Sequence, residues 1–348
     1  MPVTTETLSL VGDLRLRVDG YIDDTTTQLA ALYRASWDQL YSVWYTPLAV
    51  LSGSVGWPGR ATVFRTVGGA AEATGRELRR LTARMTDLLA RNVSNTATAA
   101  VLSQTDIVRS QLPPGVELGI AAGIGVAVAS RIDPLPAGAM AALVGGILER
   151  VTKDMAGMPG HVVANMRATV VRGPHRGLRP EARTPWMLAA VEKSFQQAAT
   201  RSVTAARTAV ADTAREATRR QHNAHRALLV GWRWTSRRDE ATCPICWSMD
   251  GREFPLSKPG PFDHPNGRCI RTPVVKPWRL LGIDLPEPAG APNSAEAAFH
   301  TLPEADQVRI MGPNRLRMLR DGSLAWADLA QSIRRRNRAT VKLRPLAA

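Results

Sequence analysis

Apolar side chains recur at intervals of three and four over two long stretches. From Thr25 to Leu51 they fall at Leu29, Leu32, Tyr33, Trp37, Leu40, Tyr41 and Trp44, which places them on one face of a helix and predicts an amphipathic element with a heavy aromatic stripe. Such a stripe packs into a domain core or docks in a partner's groove. A turn-rich break at Gly53 to Gly59 follows. Glu72 to Leu102 is again helical, with Leu78, Leu81, Met85, Leu88 and Leu89 in register, and Pro113-Pro114-Gly115 stops it.

His175 to Pro185 is rich in Pro, Gly and Arg and reads as a linker between folding units. Beyond Pro185, a tolerated first-turn proline, neither Gly nor Pro occurs until Gly231, which predicts one long helix. At Gly231 the period changes: Trp232 and Trp234 alternate with Arg233 as in a short strand. Asp250-Gly251 is a two-residue hairpin signal between Trp247-Ser-Met and Arg-Glu-Phe254. Helical pattern resumes near Ala295. The expected fold is α+β and predominantly α-helical, with a long helix leading into a small β-containing Cys/His domain. The expected divisions are a helical N-terminal region over 1–177, the Cys/His domain over 178–285 and a basic helical tail over 286–348.

Composition sharpens this picture. Of 348 residues 44% are hydrophobic but only 5% aromatic, which favours helices over a large β-sandwich. Forty-five Lys and Arg against 30 Asp and Glu leave +15, so a polyanion or an acidic protein surface is the expected neighbour. Between Arg201 and Arg238 nine Arg face only Asp212 and Glu216, a net +7; the face is a solvated one, or it meets nucleic acid or an acidic partner. A second basic patch of the same net charge ends the chain. The N-terminus lacks a basic flank followed by an apolar run and does not read as a secretory signal. Two uncharged runs, Leu118 to Ser130 and Pro134 to Leu148, are short for a bilayer span and read as a packed small-residue helical hairpin.

All three cysteines lie between 243 and 269, too few for a secreted disulfide framework. Cys243-x2-Cys246, seventeen residues, His264, four residues and Cys269 make a complete tetrahedral zinc set. With no further cysteine to spare, such a zinc is structural rather than catalytic. A packed cluster without metal and a redox-active pair are the competing readings. Arg268 beside Cys269 stabilises a thiolate, bonds a carbonyl or faces solvent. His222 and His225, three apart on an Arg-rich helix, read as surface residues.

The string from Trp232 to Pro273 resembles the C-terminal domain of phage head-morphogenesis (minor head, Mu-F-like) proteins. The resemblance is carried by an aromatic strand, Asp239 shortly before Cys243 and Cys246, the Asp250-Gly251 turn with Phe254, and the closing His264, Pro265, Asn266, Arg268 and Cys269. It covers some forty residues and departs at Gly267, where that family has a cysteine, so it supports the fold more than the zinc. Gln307, Gly312, Arg315 and Gly322 resemble the segment that often follows this domain. The resemblance implies a non-enzymatic minor capsid protein, made in the bacterial host cytoplasm and placed in the virion head interior near the portal. It would act in procapsid assembly and in packaging or delivery of DNA.

The partners so implied are the portal protein, the major capsid or scaffolding protein and double-stranded DNA bound without sequence preference; a membrane is not among them. The expected DNA contacts are Arg219, Arg220, Arg237 and Arg238 on and after the long helix and Arg334, Arg335, Arg336 and Arg338 in the tail. Two alternatives belong to other classes. A metal-dependent nuclease would use Asp263, His264 and Asn266, but it needs an open metal position that the thiolates leave no room for. A membrane-active delivery protein would use the segment from Leu118 to Leu148. Gly119 to Gly125 lacks the lysine and strand context of a phosphate loop.

Overall fold

The computed structural model describes residues 3–114, 132–174, 177–261, 266–291, 294–335 and 338–343, the last stretch from 331 as backbone. Its helices are α1 (Thr5–Ser52), α2 (Arg60–Thr66), α3 (Gly68–Arg109), α4 (Ala137–Ala156), α5 (Met158–Arg172) and α6 (Pro180–Ala224). The small sheet that follows has β1 (Leu229–Thr235), β2 (Glu253–Pro255) and β3 (Ile270–Val275), with the short helix α7 (Pro244–Met249) between β1 and β2. Three short helices, α8 (Ala295–His300), α9 (Glu304–Met311) and α10 (Pro313–Arg320), precede a hairpin of β4 (Ala330–Arg335) and β5 (Arg338–Leu343). The protein is predominantly α-helical α+β, as the sequence pattern indicates.

The chain forms two compact units: Met1–Asp19, Thr96–Leu143 and Ala211–Ala348 in one, Gly20–Asn95 and Val144–Val210 in the other. These do not follow the linear divisions expected at 177 and 285. Helices α1, α3, α4 and α6 each contribute residues to both units, because long helices bring together segments far apart in sequence.

The second unit is helical, and its core contains the aromatic stripe of α1. Leu29, Tyr33, Trp37, Leu40 and Trp44 are buried, as are Leu78, Leu81, Met85, Leu88 and Leu89 of α3. Of the other stripe residues Leu32 is half-buried and Tyr41 is 48% exposed, stacking on Tyr45 at the edge of the stripe. Phe195 of α6 lies 5.6 Å from Tyr33 and 5.5 Å from Trp37. Polar groups entering this core are matched: Tyr33 and Ser202 share a hydrogen bond of 2.7 Å, and the Trp44 indole donates to Thr74 Oγ1 at 2.8 Å. A buried donor left unmet costs about 1–3 kcal/mol, so these pairs fix which face of each helix turns inward.

In the first unit the sheet order is β2-β1-β3, antiparallel throughout, with Trp232 opposite both Phe254 and Pro273. Gly231 is required where β2 crosses β1: a Cβ there would stand 2.4 Å from the Phe254 carbonyl oxygen. Strand β3 is an edge strand, yet its outer backbone is satisfied. Gln111 donates to Pro273 O (3.0 Å) and accepts from Val275 N (3.2 Å), and Gln104 one heptad earlier donates to Arg271 O (3.4 Å). Gln104 on α3 and Gln111 in the turn just after it thus do what another strand would do. Val108, Leu112, Ile132, Leu228, Val275 and Trp278 close a core around this contact.

Several local expectations are corrected. Trp247-Ser-Met is helix α7 rather than a strand, because Cys243 caps its first turn and Pro244 occupies its first position; β2 pairs with β1 instead. The Asp250-Gly251 turn, with Gly251 at φ 83°, joins helix to strand. The tail is helical only to Arg320. Ala330–Arg335 and Arg338–Leu343 pair as antiparallel strands, in keeping with the two-residue alternation of Ala339, Val341 and Leu343 with Arg338, Thr340 and Lys342. The run Leu118 to Ser130 lies outside the described residues, while most of Pro134 to Leu148 enters α4. Among the described residues no helix is long and apolar enough to cross a membrane.

Candidate metal and nucleic-acid sites

The cysteine module is built on β1. Trp232, Trp234, Cys246, Met249 and Cys269 form one buried cluster, with Cys243 and Phe254 at its margin. The Cys243 sulfur accepts the Cys246 backbone N–H at 3.4 Å, the bond that makes a Cys-x2-Cys knuckle. Cys269 arrives from the other side, immediately before β3. Hydrogen bonding with the Cys243 and Cys269 thiols, reinforced by burial, pushes the Cys246 thiol well up from its ordinary value. Among the described residues the three thiols form no disulfide.

Carboxylates and arginines hold the loops that carry these sulfurs. Asp239 accepts two hydrogen bonds of 2.7 Å from Arg268 and one of 2.7 Å from Thr242. Burial alone would raise its pKa, but these donors keep it below the ordinary carboxylate value. Asp250 accepts from Ser236 N at 2.5 Å and from Arg238 Nε at 2.6 Å, tying the end of α7 to the end of β1. Arg215 of α6 donates to Cys269 O at 3.0 Å and to Gly267 O at 2.6 Å, so the closing turn is anchored on the long helix. Arg268 therefore pairs with a carboxylate rather than with a thiolate.

Arg15 of α1 was not singled out by the sequence. Its Nε and Nη2 are shut off from solvent and have no hydrogen-bond partner among the described residues. Burial lowers its pKa to about 10, against the pull of Asp250 and Cys269, whose charges it feels most strongly. Isolated on a helix two hundred residues upstream, one arginine among many carries no sequence signal of this role.

Three of the four expected metal ligands, Cys243, Cys246 and Cys269, are thus brought together. His264, like Asp263, lies outside the described residues. Among the described residues no group of three or more His, Cys, Asp and Glu side chains is arranged to hold a metal ion.

The expected DNA contacts are placed differently from one another. Arg219 forms a two-pronged pair with Glu216 (2.8 and 2.6 Å), and Arg220 bonds the same carboxylate at 3.0 Å and Ala139 O at 3.3 Å. Arg237 pairs with Asp19 and with Asp239, and Arg238 with Asp250. All four serve internal ion pairs. Arg334 and Arg335 lie on β4 and Arg338 on β5; Arg336 is outside the described residues.

His222 and His225 are buried, contrary to their expected surface position, because the last turns of α6 enter the core of the first unit. His222 Nε2 meets Gln104 Oε1 at 2.8 Å, while its Nδ1 is buried without a partner. Desolvation, then Arg271 and His225, hold its pKa well below 6.5. Arg271 is itself fully buried, 4.3 Å from the Trp232 ring, and burial lowers it to about 9.

Comparison with family models, curated proteins and solved structures finds no match for this chain.

Proposed function

We propose that this chain is a minor head component of a tailed phage, an architectural protein of the virion interior near the portal that assists assembly and the packaging or delivery of DNA, and that it performs no turnover. The observation that carries the reading is the three-cysteine module: an aromatic strand, a knuckle and a closing turn, braced within itself by Asp239 and Asp250 and tied to the long helix α6 by Arg215. The sequence resemblance over Trp232 to Pro273 supports the same assignment, and a net charge of +15 suits a shell filled with phosphate.

A structural zinc held by Cys243, Cys246, His264 and Cys269 belongs to this proposal. Three thiolates and a neutral imidazole around Zn²⁺ carry one net negative charge, and the two unpartnered, shielded donors of Arg15 supply the matching positive charge beside Cys269. When bound, the metal would replace packing as the force that closes the knuckle. The chain's own residues set the donors: Cys243 caps α7, and Arg215 holds the backbone on either side of Arg268.

The test of the assignment is peptide mass spectrometry of procapsids and mature heads purified from cells infected with the phage that encodes the chain. The expected result is a low, reproducible copy number in both. Absence from both particle types would end the reading. The supposed partners, the portal and the major capsid or scaffolding protein, are then sought by cross-linking in the same particles.

A further inference from the structure

Arg219, Arg220, Arg237 and Arg238 of the first unit are bound in internal ion pairs, whereas the helical unit carries positive charge that has no such partner. A cleft of about 570 Å³ opens between α3 and α5. Arg76 and Arg79 line it from α3 and Arg167 from α5, facing a single carboxylate, Glu72. Among the described residues none of the three arginines forms an ion pair or a hydrogen bond. Arg76 and Arg79 are exposed, three residues apart on one face of their helix.

Arg167 is prepared in advance. Its guanidinium lies 5.6 Å from the centre of the Phe64 ring, whose other cationic neighbour is Arg60 at 5.2 Å. Its Nε is closed off from water and has no acceptor. A shielded donor without a partner is unfavourable in the free protein, and an anionic oxygen entering the cleft relieves it. The space exists because the walls are small: a Cβ on Gly75 would already reach Arg79 Nη1 at 3.5 Å and Val163 at 3.9 Å, and Gly160 on the facing helix has nothing within 4 Å.

We infer that this cleft binds the phosphodiester backbone of DNA. Three guanidinium groups against one carboxylate select an anion, and planar forks on two facing helices suit the paired oxygens of successive phosphates. Apart from the guanidinium groups and Glu72 the walls are small and apolar, from Ala71, Pro159, Val163 and Ala164, so the polar contacts go to backbone phosphates and the contact is independent of sequence. The inference rests on the reading that the chain contacts DNA, and it relocates that contact from α6 to the α3–α5 face.

The experiment follows anisotropy of a labelled random-sequence duplex against the full chain over a salt series. For Arg76→Gln/Arg79→Gln/Arg167→Gln the expected result is at least a tenfold weaker complex at low salt. The slope of log affinity against log salt should fall by about two to three, close to 0.9 for each phosphate released. Two milder variants keep the test decisive if the triple variant loses helix content. Glu72→Gln should tighten binding, and Gly160→Glu, which adds a carboxylate where the structure has open space, should weaken it. Unchanged affinity and slope in all the variants would overturn the cleft while leaving DNA binding intact. A wild-type chain with no affinity for duplex would overturn both, and a loss confined to some sequences would overturn backbone recognition.

Discussion

His222→Gln should flatten the acid response of the protein. The imidazole is fully buried, donates from Nε2 to Gln104 and faces Arg271 and His225, with a bare Nδ1 that has no acceptor nearby. Protonating Nδ1 would place a second cation beside a buried guanidinium. Its folded pKa is therefore depressed, and the folded state binds this proton less readily than the unfolded chain does. The stabilising effect of a neutral ring is complete above 6.5, the ordinary value, and is lost as pH falls below it. If the folded ring stays neutral, the loss approaches about 2.5 kcal/mol between pH 7 and pH 4.5, at roughly 1.4 kcal/mol per pH unit below the unfolded value. Glutamine keeps a hydrogen bond to Gln104 within reach and has no proton to gain. Urea unfolding of wild type and His222→Gln at several pH values isolates the effect, since the carboxylates and His225 are common to both. Stability differences that do not change between pH 7 and 4.5 would refute the buried neutral histidine.

Further outcomes follow from the sheet and the cysteines. Gly231→Ala drives a methyl group into the Phe254 carbonyl, so the β1–β2 pairing should give way, with a loss of about 2–3 kcal/mol in urea unfolding; an unchanged midpoint would show that the crossing is looser than described. Gently purified protein should hold close to one equivalent of zinc, and a chelator should lower the melting temperature by about 5 °C or more. Less than a tenth of an equivalent, or a melting temperature indifferent to chelator, would leave the thiols as a packed cluster. With zinc bound, Arg15→Met should speed its transfer to a chromophoric chelator at least several-fold, and an unaltered rate would remove Arg15 from the account.

The elements with a strong period were legible in the sequence. The stripes of α1 and α3, the uninterrupted course of α6 and the aromatic strand β1 all come from local spacing that tertiary packing then uses. Convergence of Cys243, Cys246 and Cys269 was legible too, because a knuckle needs only a short turn and a returning loop. What was not legible depends on pairing across long separations. Nothing local tells that Arg237 spends its charge on Asp19, or that His222 turns toward Gln104. Charge counting treats every arginine as equal, whereas the fold divides them into anchors such as Arg215 and unpaired groups such as Arg76. The hairpin expected after Trp247 failed for a local reason instead: a proline and a capping thiol outweighed a turn dipeptide.

The interleaving of the two units bears on how the chain is made. The helical unit is complete in sequence once Val210 has left the ribosome, so its core around Phe195 can close while translation continues. The other unit needs Val3 and Arg15 to wait for partners near the opposite terminus, including the Ala291 amide that donates to Val3 O. The cysteine module therefore closes after the helical unit has been made, and a product truncated before Ala291 would leave the first turns of α1 without these neighbours.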